Sequence, residues 1–386
     1  MPVDGLAAPS ARCANVLAMT PQHPRPDPGP TSGDSSTSQP SRRLNRATIV
    51  LWRSRRVVQL ELGTRRIVVE DVDPEQLSAL LWRPAGSRPA TPYRHPASGV
   101  AELTAVLDKA GFLTSTGCHP SGQPAAPARL TADLGALTAQ FGDGALAVLQ
   151  TRRAAAVAVH GTSRLATSVA ATFAAAGVGW IQLVHGGEVS ASDACPGGVT
   201  PADEGRRFAV AADEAVRRCG PDVVTSPIPP ERSADLVVLT DPAPLDSSLR
   251  SALHQEQVPH LPASVDGQRA VVGPLVLPGR TGCLRCADLH RTDRDPAWPA
   301  LAVQLGARPR RRITSDVALC VATVGVAVGQ ALAYLDRQRP ATIEASLEWQ
   351  LPDWRLRRRS WPAHHDCDCG AATAKPPHHG HGRIDP

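Results

Sequence analysis

The chain has 386 residues, 42% hydrophobic but only 3% aromatic, which is long enough for two or three domains with cores of Ala, Val and Leu. Its formal net charge of +5 comes almost wholly from arginine, Lys109 and Lys375 being the only lysines; such an Ala/Arg/Pro-rich composition reflects base composition in the genome, so no nucleic-acid partner is expected from charge alone. The N-terminus has no apolar h-region, and nine irregularly spaced cysteines in a chain of this size point to a reducing cytoplasm and to metal rather than disulfides.

Residues 1–41 are rich in Pro, Ser, Asp and Gly without periodicity and are expected to be a disordered tail. "ATIVLWRSRRVVQLELGTRRIVVEDV" (47–72) alternates apolar and polar residues, with turn signals at Ser54-Arg55 and Gly63-Thr64, and predicts three short strands. "DPEQLSALLW" (73–82) predicts a helix with Asp73 as N-cap and Pro74 in its first turn. "SGVAELTAVLDKAGFLTS" (98–115) predicts a second helix, capped by Ser98 and ended at Gly111. Strands followed by short helices over 45–116 suggest a small winged-helix-like α+β domain. Residues 117–150 read as a linker containing an Ala/Leu helix.

From 151 to 370 the pattern changes. "AAAVAVHG" (154–161) is a buried strand running straight into the helix "RLATSVAATFAAAG" (164–177), and "WIQLV" (180–184) is a second strand. A helix near 203–218 leads to a third strand, "ADLVVLT" (234–240), and another helix near 246–256 precedes "PHLPASV". Strands alternating with helices at this pitch predict an α/β fold with a Rossmann-like, doubly wound parallel sheet. "QRAVVGPLVLPGRTG" (268–282) predicts an antiparallel section after it. Residues 317–335, "VALCVATVGVAVGQALAYL", are long and apolar enough to cross a membrane and place Gly325 and Gly329 at G-x-x-x-G spacing. The run is rich in small residues and carries Gln330, so a buried helix and no membrane span are expected. Residues 371–386 read as a loose, histidine-containing tail.

Cys283 and Cys286 form a C-x-x-C pair, and Cys367 and Cys369 form a C-x-C pair about eighty residues on. Zn²⁺ takes four nitrogen or sulfur ligands tetrahedrally, and two close pairs on glycine-bordered turns are a common way to assemble them. A closed, structural zinc knuckle on Cys283, Cys286, Cys367 and Cys369 is therefore expected, with His364 or His365 as alternative fourth ligands. No open coordination position, and so no catalysis by the metal, is expected.

The order of these elements, with "FAAAGVGWIQLV" (173–184) and the placement of the cysteine pairs, resembles the ThiF/MoeB/HesA superfamily of ubiquitin-activating-type adenylyltransferases over about 150–370. The resemblance implies ATP bound on the sheet, adenylation of the C-terminus of a small protein or peptide, and a homodimer. The positions that serve nucleotide in that family are altered. Its glycine-rich turn reads "GTSRLA", with Gly161 retained and Arg164 intruding. His185, Gly186 and Gly187 stand where the family has an acidic pair. In "SDACPG", Ser192 is kept, with Pro196 near the family's arginine, and Phe208 lies at or near its lysine. The acidic position after the third strand falls on Leu239, with Asp241 two residues later. Gly161, Arg164 and Asp241 are thus the candidate remnants of a degenerate nucleotide site, and ATP is not expected as a cofactor.

A strand-rich module joined to such a domain, with "GPLVLPGRTGCLRCADLHRTDRDPAWPALAVQL" (273–305), resembles the leader-peptide-binding partner proteins of thiazole/oxazole-modified peptide biosynthesis. That resemblance implies a precursor (leader) peptide or small protein added as an extra strand within 48–69, and a YcaO-type cyclodehydratase partner that does the chemistry. Two alternatives stand beside it: an active ATP-dependent adenylyltransferase, and a winged-helix DNA-binding regulator using Arg42, Arg43, Arg53, Arg55 and Arg56. "DLHRTDRDPAWP" (288–299) is either a salt-bridged crossover loop or an anion or docking site. His160 ends the first buried strand at the edge where such sheets bind ligands.

Overall fold

The computed structural model describes residues 42–81, 97–115, 126–307 and 314–371. The tail expected at 1–41 and all but Ala371 of the tail expected at 371–386 lie outside the described residues.

The N-terminal part contains the three predicted strands, β2 (Ile49–Trp52), β3 (Val58–Leu62) and β4 (Arg65–Val69), as an antiparallel sheet in that order. Gly63, at φ 59°, makes the tight β3–β4 turn that a side chain would strain. A short strand β1 (Arg42–Leu44) precedes them and pairs with β5 (Leu113–Ser115), which follows the helices. Neither is long enough to show a period in the sequence. Helix α1 (Pro74–Leu80) begins as predicted, with Asp73 accepting the Glu75 N–H. Helix α2 (Ala97–Lys109) differs: Ser98 lies inside its first turn rather than ahead of it. Leu44, Val58, Leu60, Leu62, Leu77, Leu107 and Phe112 close a core of their own between sheet and helices.

Residues 117–150 hold more than one helix. Helices α3 (Thr131–Phe141) and α4 (Ala145–Ala154) lie back to back, and α4 runs past residue 150 to the start of the large sheet. The buried Arg152 on α4 makes a two-pronged contact with Asp336, through Nε at 2.8 Å and Nη2 at 2.5 Å.

The large sheet has seven strands. Its parallel part is β7 (Trp180–Val184), β6 (Ala156–His160), β8 (Leu236–Leu239) and β9 (His260–Asp266), neighbours in that order. The antiparallel part continues through β10 (Arg269–Val272), β11 (Ala345–Gln350) and β12 (Arg357–Ser360). "PHLPASV" is therefore a strand, the fourth parallel one. Alternate residues feed opposite faces. Val157, Val159 and Val238 join α5 (Ala166–Ala175) and α10 (Val317–Leu335) in one core. Ala158, Val237 and Leu239 meet Leu253 of α7 (Ser247–Gln255) on the other face. Helices on both faces make the sheet doubly wound, as expected. The apolar run 317–335 is the helix α10, packed across α5, β9 and β10 with Leu319, Cys320, Ala327 and Ala331 fully buried. Helix α6 (Phe208–Cys219) packs on α5. Helices α8 (Leu284–Arg294) and α9 (Trp298–Gly306) lie between β10 and α10, so "DLHRTDRDPAWP" is mostly helical rather than a crossover loop.

Candidate functional site: a cysteine cluster and a crevice at the carboxyl edge of the sheet

Cys283 is the N-cap of α8 and Cys286 lies in its first turn, so their side chains share one end of the helix. The chain after β12 returns to the same end. Gly282 makes this possible, because a Cβ there would stand 2.6 Å from the Trp361 carbonyl. The Sγ–Sγ distances are 3.8 Å for Cys283–Cys286 and 3.6 Å for both Cys283–Cys367 and Cys286–Cys369. A disulfide would need about 2 Å. A tetrahedron of sulfurs about 2.3 Å from a central ion has edges of about 3.8 Å, so the four thiols are spaced to hold one metal ion. The hydrogen bond from Cys283 pulls the Cys286 thiol down, while giving that bond and burial push Cys283 up. A cation would take the place of the shared protons. The two histidines are otherwise engaged. His364 is buried, its Nδ1 accepting the Asp366 N–H and its Nε2 meeting Asp293 at 2.9 Å. His365 is exposed and lies 3.2 Å from Asp366. The cluster is thus Cys283, Cys286, Cys367 and Cys369.

At the carboxyl ends of β6, β7 and β8 lies a crevice of about 460 Å³ lined by His160, Gly161, Thr162, His185 and Asp241. Gly161 has φ 134°, and a Cβ there would fall 2.5 Å from Thr240 Oγ1 and 3.1 Å from Asp241 Cγ. Asp241 accepts the Thr162 N–H at 2.8 Å, which ties the β6 turn to the end of β8. Two of the three candidate remnants, Gly161 and Asp241, are therefore brought together. Arg164 is not with them. Its Nε donates to the Ala194 carbonyl at 2.5 Å and its Nη1 to the Ser315 carbonyl at 3.1 Å, which corrects the expectation that it faces the crevice.

The amino end of α5 is the place where a phosphate would sit in such a sheet. It is covered by the turn 194–199: a Cβ on Gly198 would be 3.1 Å from the Ser168 N and 3.2 Å from Thr167 Cβ. Where the family resemblance puts an acidic pair, His185 stacks on Phe208 at 3.3 Å, donating through Nδ1 to the Gly186 carbonyl. Its Nε2 is buried and meets no partner among the described residues. Burial lowers the pKa of both His185 and His160, so both rings are neutral near pH 7. The crevice thus offers a carboxylate and neutral imidazoles, and Ser192 contacts only Ser190 Oγ at 3.1 Å among the described residues.

In the N-terminal sheet β2 pairs only with β3 among the described residues, and Ile49, Leu51 and Trp52 on it are 55%, 45% and 42% exposed. Helix α2 carries Glu102, Asp108 and Lys109 but no arginine, so it presents no basic recognition face. Sequence reasoning missed Arg250, Arg269 and Arg359, which gather with the 288–299 segment in a second cleft. They lie on three separate elements, and no local pattern links them.

The ThiF family profile matches residues 136–371. No curated protein matches the chain. Among solved structures, Escherichia coli MccB with MccA-N7isoASN superposes with a TM-score of 0.64 at 13% identity, covering 86% of this chain and 99% of that one. E. coli MccB with ATP gives 0.64 at 14% identity, covering 85% and 99%. PaaA gives 0.61 at 14% identity, covering 82% and 99%. Residues 126–371 alone could not supply such coverage, so the likeness of fold extends beyond them.

Proposed function

Because the chain belongs to the ThiF family, we propose that it is a peptide-binding member of that family whose nucleotide site has degenerated. In this reading it holds a precursor peptide as an added strand on the N-terminal sheet and presents it, in the cytoplasm, to a separate ATP-using cyclodehydratase of the YcaO type. The observation that carries it is the outer edge of β2. An edge strand bearing Ile49, Leu51 and Trp52 in solvent is an aggregation hazard unless a partner pairs with it. Strand addition would satisfy its backbone, and the apolar side chains would set register. MccB, a protein of this fold, has been determined in complex with MccA-N7isoASN and with N-formylated MccA, which supports a bound partner for this chain.

Loss of tight Mg·ATP binding is supported by three features: the covered amino end of α5, the diversion of Arg164 to carbonyls, and the use of Asp241 on the Thr162 N–H. The cysteine cluster would hold a structural Zn²⁺ through Cys283, Cys286, Cys367 and Cys369, the metal fixing the 367–369 turn to α8. A homodimer through the outward side of α10 is supported by exposed Val317 and Val321 and by the open Gly325, on a helix without a charged residue.

Two titrations into metal-replete protein test this reading. Mg·ATP should give no micromolar binding, whereas clear binding would favour the adenylyltransferase alternative, for which the remaining crevice and Asp241 are the supporting observations. A peptide encoded beside the gene should bind, and Trp52→Ser should weaken it tenfold or more without changing the melting temperature. Equal binding by the variant would exclude the β2 edge.

A further inference from the structure

Strands β9 to β12 have two unlike faces. Ala263, Val265, Ala270, Val272 and Leu347 enter the main core beside α10. The alternate residues Ser264, Asp266, Arg269, Glu348 and Arg359 are polar and face the other way, where α8 and α9 wall them into a cleft of about 500 Å³. A polar sheet face normally meets open water. This one is partly roofed, and five arginines line it: Arg250 from α7, Arg269 from β10, Arg291 and Arg294 from α8, and Arg359 from β12.

The guanidinium groups are held by aromatic faces and by shared carboxylates. Arg291 lies 4.7 Å from the Trp361 ring and 5.2 Å from Trp298, with Arg294 and Arg359 at 5.2 Å and 5.7 Å from Trp361. Trp361 is itself fixed, its Nε1–H donating to Ser346 Oγ at 2.8 Å. Asp288 is divided between Arg250 and Arg291, both at 2.8 Å. Glu348 is divided between Arg269 at 2.7 Å and Arg359 at 3.7 Å. Asp266 and Asp295 also line the cleft, the latter capping its own turn by accepting the Ala297 N–H. Arg294 pairs with no carboxylate among the described residues, and the Nε of Arg250 is buried without an acceptor. Five carboxylates line the cleft beside the five arginines (Asp241, Asp266, Asp288, Asp295 and Glu348), but each guanidinium has five N–H donors in a fixed plane, so the donors exceed what the shared Asp288 and Glu348 fill. Burial lowers the pKa of Arg291 against the opposing pull of Asp288. The cleft shares the wall 241–245 and Leu305 with the carboxyl-edge crevice, so an extended ligand could run from one into the other.

We propose that this arginine-lined cleft recognises a carboxylate of the bound peptide, with Arg294, Arg359 and Arg250 as the recognising residues. This rests on the peptide-binding reading given above. The planar, pre-stacked guanidinium groups favour a planar, bidentate carboxylate, and the cleft's own acids disfavour a more highly charged phosphate.

The test is calorimetric titration of the whole metal-replete protein with acetyl-Glu-Glu-Glu-amide, acetyl-Gly-Gly-Gly bearing a free carboxylate, and inorganic phosphate. Acetyl-Gln-Gln-Gln-amide is the neutral control. One of the two carboxylate probes should bind saturably, and which of them does so tells an acidic side chain from a peptide C-terminus. Arg294→Gln, at a residue that stacks on Trp361 and pairs with no carboxylate among the described residues, should weaken that probe at least tenfold while the melting temperature stays put. Arg359→Gln should do the same, and Trp52→Ser on β2, which does not line the cleft, should change nothing. Silence from both carboxylate probes, tighter binding of phosphate, or equal binding of the glutamine peptide would overturn the proposal. Binding in the cleft with no peptide captured on β2 would sink the strand-addition reading and leave the cleft standing.

Discussion

Cys286→Ser should remove bound metal and destabilise the protein by several kcal/mol. The three closest Sγ–Sγ distances, 3.6 to 3.8 Å, fit a tetrahedral ion with bonds of about 2.3 Å. A serine hydroxyl stays protonated and is a weak ligand, so the site would be left with three thiols and an unfilled corner. The metal also closes a loop of about eighty residues between α8 and the Cys367–Cys369 turn, and a cross-link of that span restricts the unfolded chain by about 4 kcal/mol. At about 2–4 °C per kcal/mol for a domain of this size, the melting temperature should fall by roughly 10 °C. Elemental analysis should find one metal ion per wild-type chain and almost none in the variant, and a strong chelator should lower the wild-type melting temperature to the variant's. Metal well below one per chain in protein purified without chelator, or a variant melting with wild type, would refute the argument.

The Arg152–Asp336 pair has side chains only 8% and 5% exposed, so Arg152→Met alone should cost about 3–5 kcal/mol in urea unfolding, while Arg152→Met with Asp336→Leu should recover much of it. Gly161→Ala should destabilise by about 1–3 kcal/mol, because the φ of 134° and the approach of Thr240 and Asp241 both exclude a side chain; an unchanged unfolding midpoint would count against the tight β6–β8 closure. His260 is 2% exposed, and burial lowers its pKa to about 4 from 6.5. Between those values the unfolded chain binds the proton and the folded one does not, so stability should fall by up to about 3 kcal/mol as pH drops from about 6.5 to 4. His260→Gln should flatten that part of the pH profile relative to wild type. Identical profiles would show that His260 is not its source.

Much of the architecture was legible because it rests on short-range physics. The period-two run "VVQLEL" and the continuous apolar run "AAAVAVHG" became β3 and β6, and Asp73-Pro74 became a helix start. The four cysteines could be paired from spacing alone, since few arrangements serve a tetrahedral ion. Other features gave no local signal. β1 and β5 are three residues each and exist only because each supplies the other's hydrogen bonds. Ser98 looked like a cap but lies within α2, because Ala97 already has helical backbone. The 288–299 segment looked like a loop because its charges show no apolar period, yet ion pairs to Asp288 and stacking on Trp298 and Trp361 support it as helix.

The sequence by itself determined the order of strands and helices, the doubly wound plan and the cysteine set, because each depends on the period or chemistry of neighbouring residues. Only the tertiary structure decided what packs on the start of α5 and where charge gathers. The turn 194–199 lies on the start of α5, Arg164 turns away to two carbonyls, and arginines from α7, α8, β10 and β12 meet in one cleft. Those residues are brought together by the crossing of helices over a sheet whose strand order differs from chain order. No pattern along the chain encodes such a meeting.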